Sequence, residues 1–237
     1  MQDHNRIPRA FVCLLLALCL GGAALALTQN DWETVSYQKW TKGDVKKLLT
    51  SSPWAKSVKY TIPLNVVPGG GELVTTAEPP VILLRSSLPV RQALVRERQL
   101  EAKYDKMNEP ERATFDLKTK ELLSCPACDK NYVITIKFPS ATLGNQSYIM
   151  ERKKYIYLTN EKGERRELIH FVPQSAKGIE SLFFFPRFND QKEPLLTPES
   201  KKLTFHFDLA VNDGKPFPFE KINFEVAPLV KDGKVIF

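Results

Sequence analysis

From Asn131 to its end, this chain changes sides with a period close to two. Tyr132 to Phe138, Tyr148 to Leu158, Glu167 to Val172, Ser181 to Phe185, Lys202 to Leu209, Ile222 to Ala227 and Val235 to Phe237 mostly alternate apolar with polar positions. That period sends successive side chains to opposite faces of a strand, so each run buries one face and wets the other. Between the runs, Glu161-Lys162-Gly163-Glu164 and Lys231-Asp232-Gly233-Lys234 carry the glycine that supplies a hairpin's positive backbone angle. Short strands at this spacing predict a mainly β fold: a sandwich-like, immunoglobulin-like domain of two antiparallel sheets packed face to face. Phe183-Phe184-Phe185 does not alternate, which predicts a central strand covered on both sides. Left exposed, the triplet would be a binding surface.

The first half follows another period. Thr41 and Asp44 have the spacing that satisfies free amides at a helix start, and Val45, Leu48 and Leu49 share a face of the short helix that follows. It should stop near Ser52, because the residue before Pro53 is pushed toward extended geometry, and Trp54 should pack. Val58 to Val67 reads as a strand, broken by Pro68-Gly69-Gly70-Gly71 and a linker to Pro80. No Gly-Lys-Ser/Thr ending and no helix follow the glycine triplet, so it reads as a flexible turn, not a phosphate cradle. Val81 to Arg85 is a buried strand. Ser87 then caps a helix with Pro89 in its first turn, and Val90, Leu94, Leu100, Tyr104 and Met107 fall on one side of it with charges elsewhere. Asn108 followed by Glu111 starts a second helix running to about Ser124. The two form a helical hairpin, about 88–124, inserted between strands.

The opening residues describe an export signal. Arg6 and Arg9 precede an apolar run from Phe11 to Leu20, and Ala24-Leu25-Ala26 supplies the small residues of a cleavage site. The chain then divides into a removable segment 1–26, a lead with a short helix over 27–57, and a β domain over 58–237. The expected place of work is the periplasm or the medium. Two competitors stand beside cleavage. The uncharged stretch from Ala10 to Leu27 is close to the roughly 17 residues that a single-pass anchor needs. Cys19 would suit lipid attachment if Leu18 before it were small.

Losing 1–26 removes Arg6, Arg9 and Asp3 and leaves a formal charge one below the +7 of the whole chain. A chain of about 210 residues buries roughly 70% of its unfolded surface, enough for a packed core. Its basic residues are dispersed, with only Arg152-Lys153-Lys154 and Arg165-Arg166 as small clusters, so the concentrated surface that nucleic acid requires is not expected. The positive balance favours a protein or an acidic envelope polymer as partner. Membrane contact is expected only through an uncleaved 1–26.

Cys125-Pro126-Ala127-Cys128 is the constellation with chemical promise, because two thiols at this spacing join or exchange disulfides in an oxidising compartment. Thiol oxidoreductases set the first cysteine at a helix start; Cys125 instead follows a helix, at the end that disfavours a thiolate. Asp129 stands where covalent haem attachment needs histidine. A structural disulfide across this loop contributes roughly 2 kcal/mol and chiefly locks the turn. Metal ligation would add His170 and His206, which lie on different strands. Around His206, Leu203, Phe205, Phe207 and Leu209 form one face, while Thr204, His206 and Asp208 form the other, solvated one. His206 and Asp208 could pair as base and orienter in a hydrolase or sit as surface residues. His170 shares a face with Leu168 and Val172, as a hydrogen-bonded core histidine. No Gly-x-Ser-x-Gly elbow occurs, so no catalytic residue is assigned, and no cofactor is expected. Asn145-Gln146-Ser147 is a glycan acceptor in a eukaryotic secretory route and a plain loop otherwise.

Asp44-Val45 through Leu49, Ser52-Pro53-Trp54-Ala55-Lys56, Pro89-Val90-Arg91, Tyr132-Val133-Ile134 and Phe183-Phe184-Phe185-Pro186-Arg187 resemble a group of exported acidobacterial proteins with no assigned activity. The resemblance covers most of the mature chain. It implies a bacterial, exported protein and supplies no catalytic residue. The expected function is a non-enzymatic binding module. The alternatives are a thiol or metal protein at Cys125 and Cys128, and a hydrolase.

Overall fold

Alternation builds two sheets. A computed structural model describes residues 35–58, 80–137, 146–174, 180–208 and 221–237. The segment 1–26, the expected strand beyond Val58, the glycine linker and Asn145 lie outside the described residues. The chain divides into units Met1–Ser36 and Tyr37–Phe237, and the architecture is that of the second.

In chain order the described strands are β1 (Ser51–Ser52), β2 (Ala55–Ser57), β3 (Val81–Leu84), β4 (Asn131–Lys137), β5 (Ile156–Asn160), β6 (Arg165–Glu167), β7 (His170–Val172), β8 (Ser181–Pro186), β9 (Lys202–Phe207), β10 (Lys221–Glu225), β11 (Val230–Lys231) and β12 (Lys234–Val235). They form a six-stranded sheet ordered β1-β2-β3-β4-β8-β7, a four-stranded sheet ordered β10-β9-β5-β6 and the small hairpin β11-β12. Every pairing in these sheets is antiparallel. The helices are α1 (Lys42–Thr50), α2 (Leu88–Glu101), α3 (Glu109–Ser124) and α4 (Gln146–Glu151).

The sheets meet through phenylalanine. Register sets Ile134 opposite Phe183 and Tyr132 opposite Phe185, so these side chains share one face of the larger sheet. From that face Phe183 lies 5.8 Å from Phe205 and 5.7 Å from Phe207 of β9, and Phe185 lies 5.9 Å from Phe205, ring centre to ring centre. All four rings are fully buried, and burying each contributes about 1.5–3 kcal/mol. The other face of the larger sheet belongs to the helices: Val81 and Leu83 of β3 border a cleft with Leu94 of α2 and with Val45 and Leu49 of α1. Phe184, which points away from the phenylalanine core, is half-buried and leans on His170. β8 is thus interior to its sheet as expected, but its burial alternates and double cover fails at Phe184.

The local start signals act as their chemistry dictates. Thr41 and Asp44 close a reciprocal capping box on α1, and Asn108 and Glu111 close another on α3, which ends at Ser124. Hairpin glycines Gly163 and Gly233 both take positive φ, at 81° and 68°. Three expectations need correction. The run from Tyr148 to Leu158 divides into α4, a 3-10 turn at Lys153–Tyr155 and β5, because four consecutive polar residues from Glu151 to Lys154 interrupt the alternation. Glu167 to Val172 is a corner between sheets: Leu168 N donates to Ile156 O in one and Ile169 N to Phe184 O in the other. Finally, α2 does not keep its charges outside. Arg91, Arg96 and Gln99 are all buried, since the larger sheet, α1 and α3 surround this helix. Arg96 is fully employed there: Nε donates to Trp40 O, and Nη1 and Nη2 fork onto the Asp105 carboxylate at 3.1 and 3.0 Å.

Candidate functional site

Cys125 and Cys128 are joined by a disulfide, their Cα atoms 5.3 Å apart. Cys125 is the C-cap of α3 with φ 45°, so the pair sits at the negative helix end as expected. Cys128 is 1% exposed. The bridge closes a single 3-10 turn, Pro126–Asp129, leading straight into β4. This turn aims the Cys128 carbonyl at Arg187, whose Nη1 donates to it at 3.3 Å. Arg187, just past β8, is also anchored by its own N–H on Lys130 O. Its guanidinium rests among the rings of Phe237 at 4.4 Å and of Tyr132 and Phe188 at 5.8 Å. Close by is Arg91 of α2. Burial pushes its pKa down, Asp129 pulls it back up, and repulsion from Arg187 lowers it again.

The histidines go elsewhere. His206 lies on the outer face of the smaller sheet, as the alternation predicts, its ring stacked on Tyr157 at 4.3 Å and 8° with Nε2 3.0 Å from Thr159 Oγ1. Arg165 covers Tyr157 at 3.7 Å. Asp208 acts on His206 through space, raising a pKa that burial holds below its ordinary value. His170 is exposed, not a core histidine, because the corner at Leu168-Ile169 resets the alternation. It lies beside Phe184, on the face of the larger sheet opposite the Phe183–Phe205 contact, while His206 lies on the outer face of the smaller sheet. The phenylalanine core separates the two. The metal constellation of Cys125, Cys128, His170 and His206 is therefore not assembled, and among the described residues no group of three His, Cys, Asp or Glu side chains could hold a metal.

Two concavities border α2 among the described residues: a shallow one of about 560 Å³ against α3, lined by Tyr37, Tyr104, Asp116 and Leu117, and a more enclosed cleft of about 340 Å³ between α1, α2 and the larger sheet. The floor of this cleft is Val45, Leu49, Val81, Leu83, Leu94 and Leu100. Lys42 and Lys46, one turn apart on α1, and Glu97 and Glu101, one turn apart on α2, line it together with Lys137 and Glu180. Partial burial raises the pKa of Glu97, the neighbouring Glu101 raises it further, and Lys137 opposes them. Glu180 itself pairs with Arg85 at 3.1 Å. Sequence reasoning passed over this cleft because its walls come from residues far apart in the chain. The signal that could have found it is the matched i, i+4 charge pairs beside the apolar stripes of two helices. Among the described residues no helix is long and apolar enough to cross a membrane. No protein-family profile, curated protein or solved structure matches this chain.

Proposed function

We propose that this protein is a non-enzymatic interaction module of the bacterial envelope, periplasmic or secreted after loss of 1–26, and that a partner polypeptide docks in the cleft between α1, α2 and the larger sheet. The export signal and the resemblance to exported acidobacterial proteins support the location. The two antiparallel sheets act in this reading as an immunoglobulin-like sandwich that holds the cleft rigid.

One observation carries the choice of partner: the cleft combines an apolar lining with charges of both signs, Lys42, Lys46 and Lys137 beside Glu97, Glu101 and Glu180. A uniformly acidic polymer would be drawn to Lys42 and Lys46 but repelled by Glu97, Glu101 and Glu180. A polypeptide segment can instead lay apolar side chains on the floor and present acidic residues to the lysines and basic residues to the glutamates. Helix-in-groove recognition uses this chemistry.

A photo-crosslinking side chain at position 46, and separately at position 101, tests the proposal in exporting cells. Both positions should capture the same protein, and L100R should reduce that capture about tenfold. Two positions with no captured protein in common, or loss of capture when poly-glutamate is added to an envelope extract before irradiation, would overturn the reading.

A further inference from the structure

The two small basic clusters of the sequence meet on the surface. Arg165 Nη2 donates to Lys154 O at 2.6 Å, so β6 brings its arginine against the 3-10 turn Lys153–Tyr155. Tyrosines carry these cations: the Arg152 guanidinium lies 4.0 Å from the ring of Tyr148, Lys154 Nζ lies 4.9 Å from Tyr155, and the Arg165 guanidinium lies 3.7 Å from Tyr157. Glu151 approaches Arg152 at 3.5 Å and Glu167 approaches Arg165 at 3.6 Å, but both pairs are long and open to water, and such pairs exchange partners at little cost. Lys153 and Lys154 are exposed and ion-pair with no described carboxylate.

Beside the cations stand two large side chains that the core leaves out. Tyr155 is 42% and Ile169 52% exposed. Leu168 N donates to Ile156 O, which sets the following residue, Ile169, across from the preceding one, Tyr155. A lone exposed isoleucine is ordinary; one grouped with a tyrosine and four cations matches the boundary of a bilayer. There tyrosine lies at headgroup level, aliphatic side chains reach the first methylenes, and lysine and arginine keep their charged ends among the phosphates. A soluble polyanion would answer the cations and leave Ile169 in water.

We infer that the corner formed by Arg152, Lys153, Lys154, Tyr155, Arg165 and Ile169 docks on an anionic phospholipid surface. The contact is peripheral, because two shallow side chains do not anchor a protein and the cations supply most of the attraction. Binding is therefore reversible and weakened by salt. The corner shares no residue with the cleft between α1 and α2, so the inference does not rest on the docking proposed there.

Tryptophan fluorescence of Y155W in the whole protein tests the inference. The probes are vesicles of phosphatidylcholine and vesicles of equal parts phosphatidylcholine and phosphatidylglycerol, each with and without brominated acyl chains. Brominated lipid quenches only rings within reach of the chains, so quenching beyond that of the parent reports this corner even where the apolar run Ala10 to Leu27 also enters the bilayer. Position 155 should be quenched on the anionic vesicles at low salt and not on the neutral ones. In the Y155W background, K153E/K154E should weaken binding at least about tenfold. K118E/K120E, the same change of charge at exposed lysines of α3, should weaken it no more than about threefold. I169S should weaken it several-fold. Equal quenching on neutral vesicles, equal losses from the two lysine pairs, or binding to anionic vesicles with position 155 unquenched would overturn the inference. An I169S variant that binds as tightly as its background would assign the cations to a soluble polyanion and overturn it as well.

Discussion

At the scale of single residues, burial decides what a side chain's charge does. His206 was placed on its face by simple alternation, but its titration is set by burial and by the charges of Asp208, Lys221 and Arg165, the last two from other parts of the smaller sheet. Burial lowers its pKa most, Asp208 opposes this, and Lys221 and Arg165 add to the lowering. The unfolded chain then holds the proton more tightly than the folded one. Stability associated with the neutral ring is complete above the ordinary value of about 6.5 and is lost as pH falls through the lower folded value. Because the ring is partly open to solvent, the effect is modest. Between pH 7.5 and 5.5 the unfolding temperature of the parent should drop about 1–2 °C more than that of H206Q, measured by circular dichroism. A drop of equal size in both would show that the ring contributes no linkage. Arg91 and Arg96 illustrate what residue type alone conceals. Both look like solvated helix charges in the sequence, and both are buried. Val90, Ala93, Leu94 and Val95 interleave with them, and helix α2 is apolar on more sides than one stripe requires.

At the scale of elements, the strength of a start signal reflects how much packing is available to replace it. α3 buries only Thr119 and leaves Leu117 73% exposed, so its sixteen residues draw little from tertiary contact. Its capping box therefore matters more than that of a core helix. N108A should cost about 1 kcal/mol in urea unfolding, with an unchanged slope against denaturant. S87A at the start of α2 removes no capping bond and should cost less, because the surrounding layers hold that helix. A larger loss for S87A than for N108A would reverse this ranking. The elements most legible in advance were the helices with a capping box, α1 and α3, and the strands with a sustained period, β4 and β9. β1 and β2 were missed, since a two-residue and a three-residue strand around Pro53-Trp54 carry no period to read. α4 was missed because the alternation at Tyr148 and at Ile156 was joined across an interruption.

At the scale of the whole molecule, the core is the interface between the two sheets, and its centre is Phe205. This ring touches Phe183, Phe185 and Phe207 and is fully buried. F205A should cost about 3–5 kcal/mol, because the cavity lies where three other rings cannot all move into it. F184A, at a half-buried position on the opposite face, should cost less than half of that. Equal losses from chemical denaturation would mean that the sheets are not joined through this cluster.

The sequence by itself determined where α1, α2 and α3 start, where hairpins turn, which way most strand residues face, and that Cys125 lies at a helix end. These depend on backbone geometry and side-chain chemistry within a few residues, so a local pattern contains them. Tertiary structure alone decided that β4 pairs with β8 and β5 with β9, that Leu168-Ile169 passes the chain from one sheet to the other, and that Arg187 donates to the carbonyl of the disulfide turn. Each of those is a contact between segments remote in the chain, selected by the burial and pairing of the complete fold, and no short-range period records it.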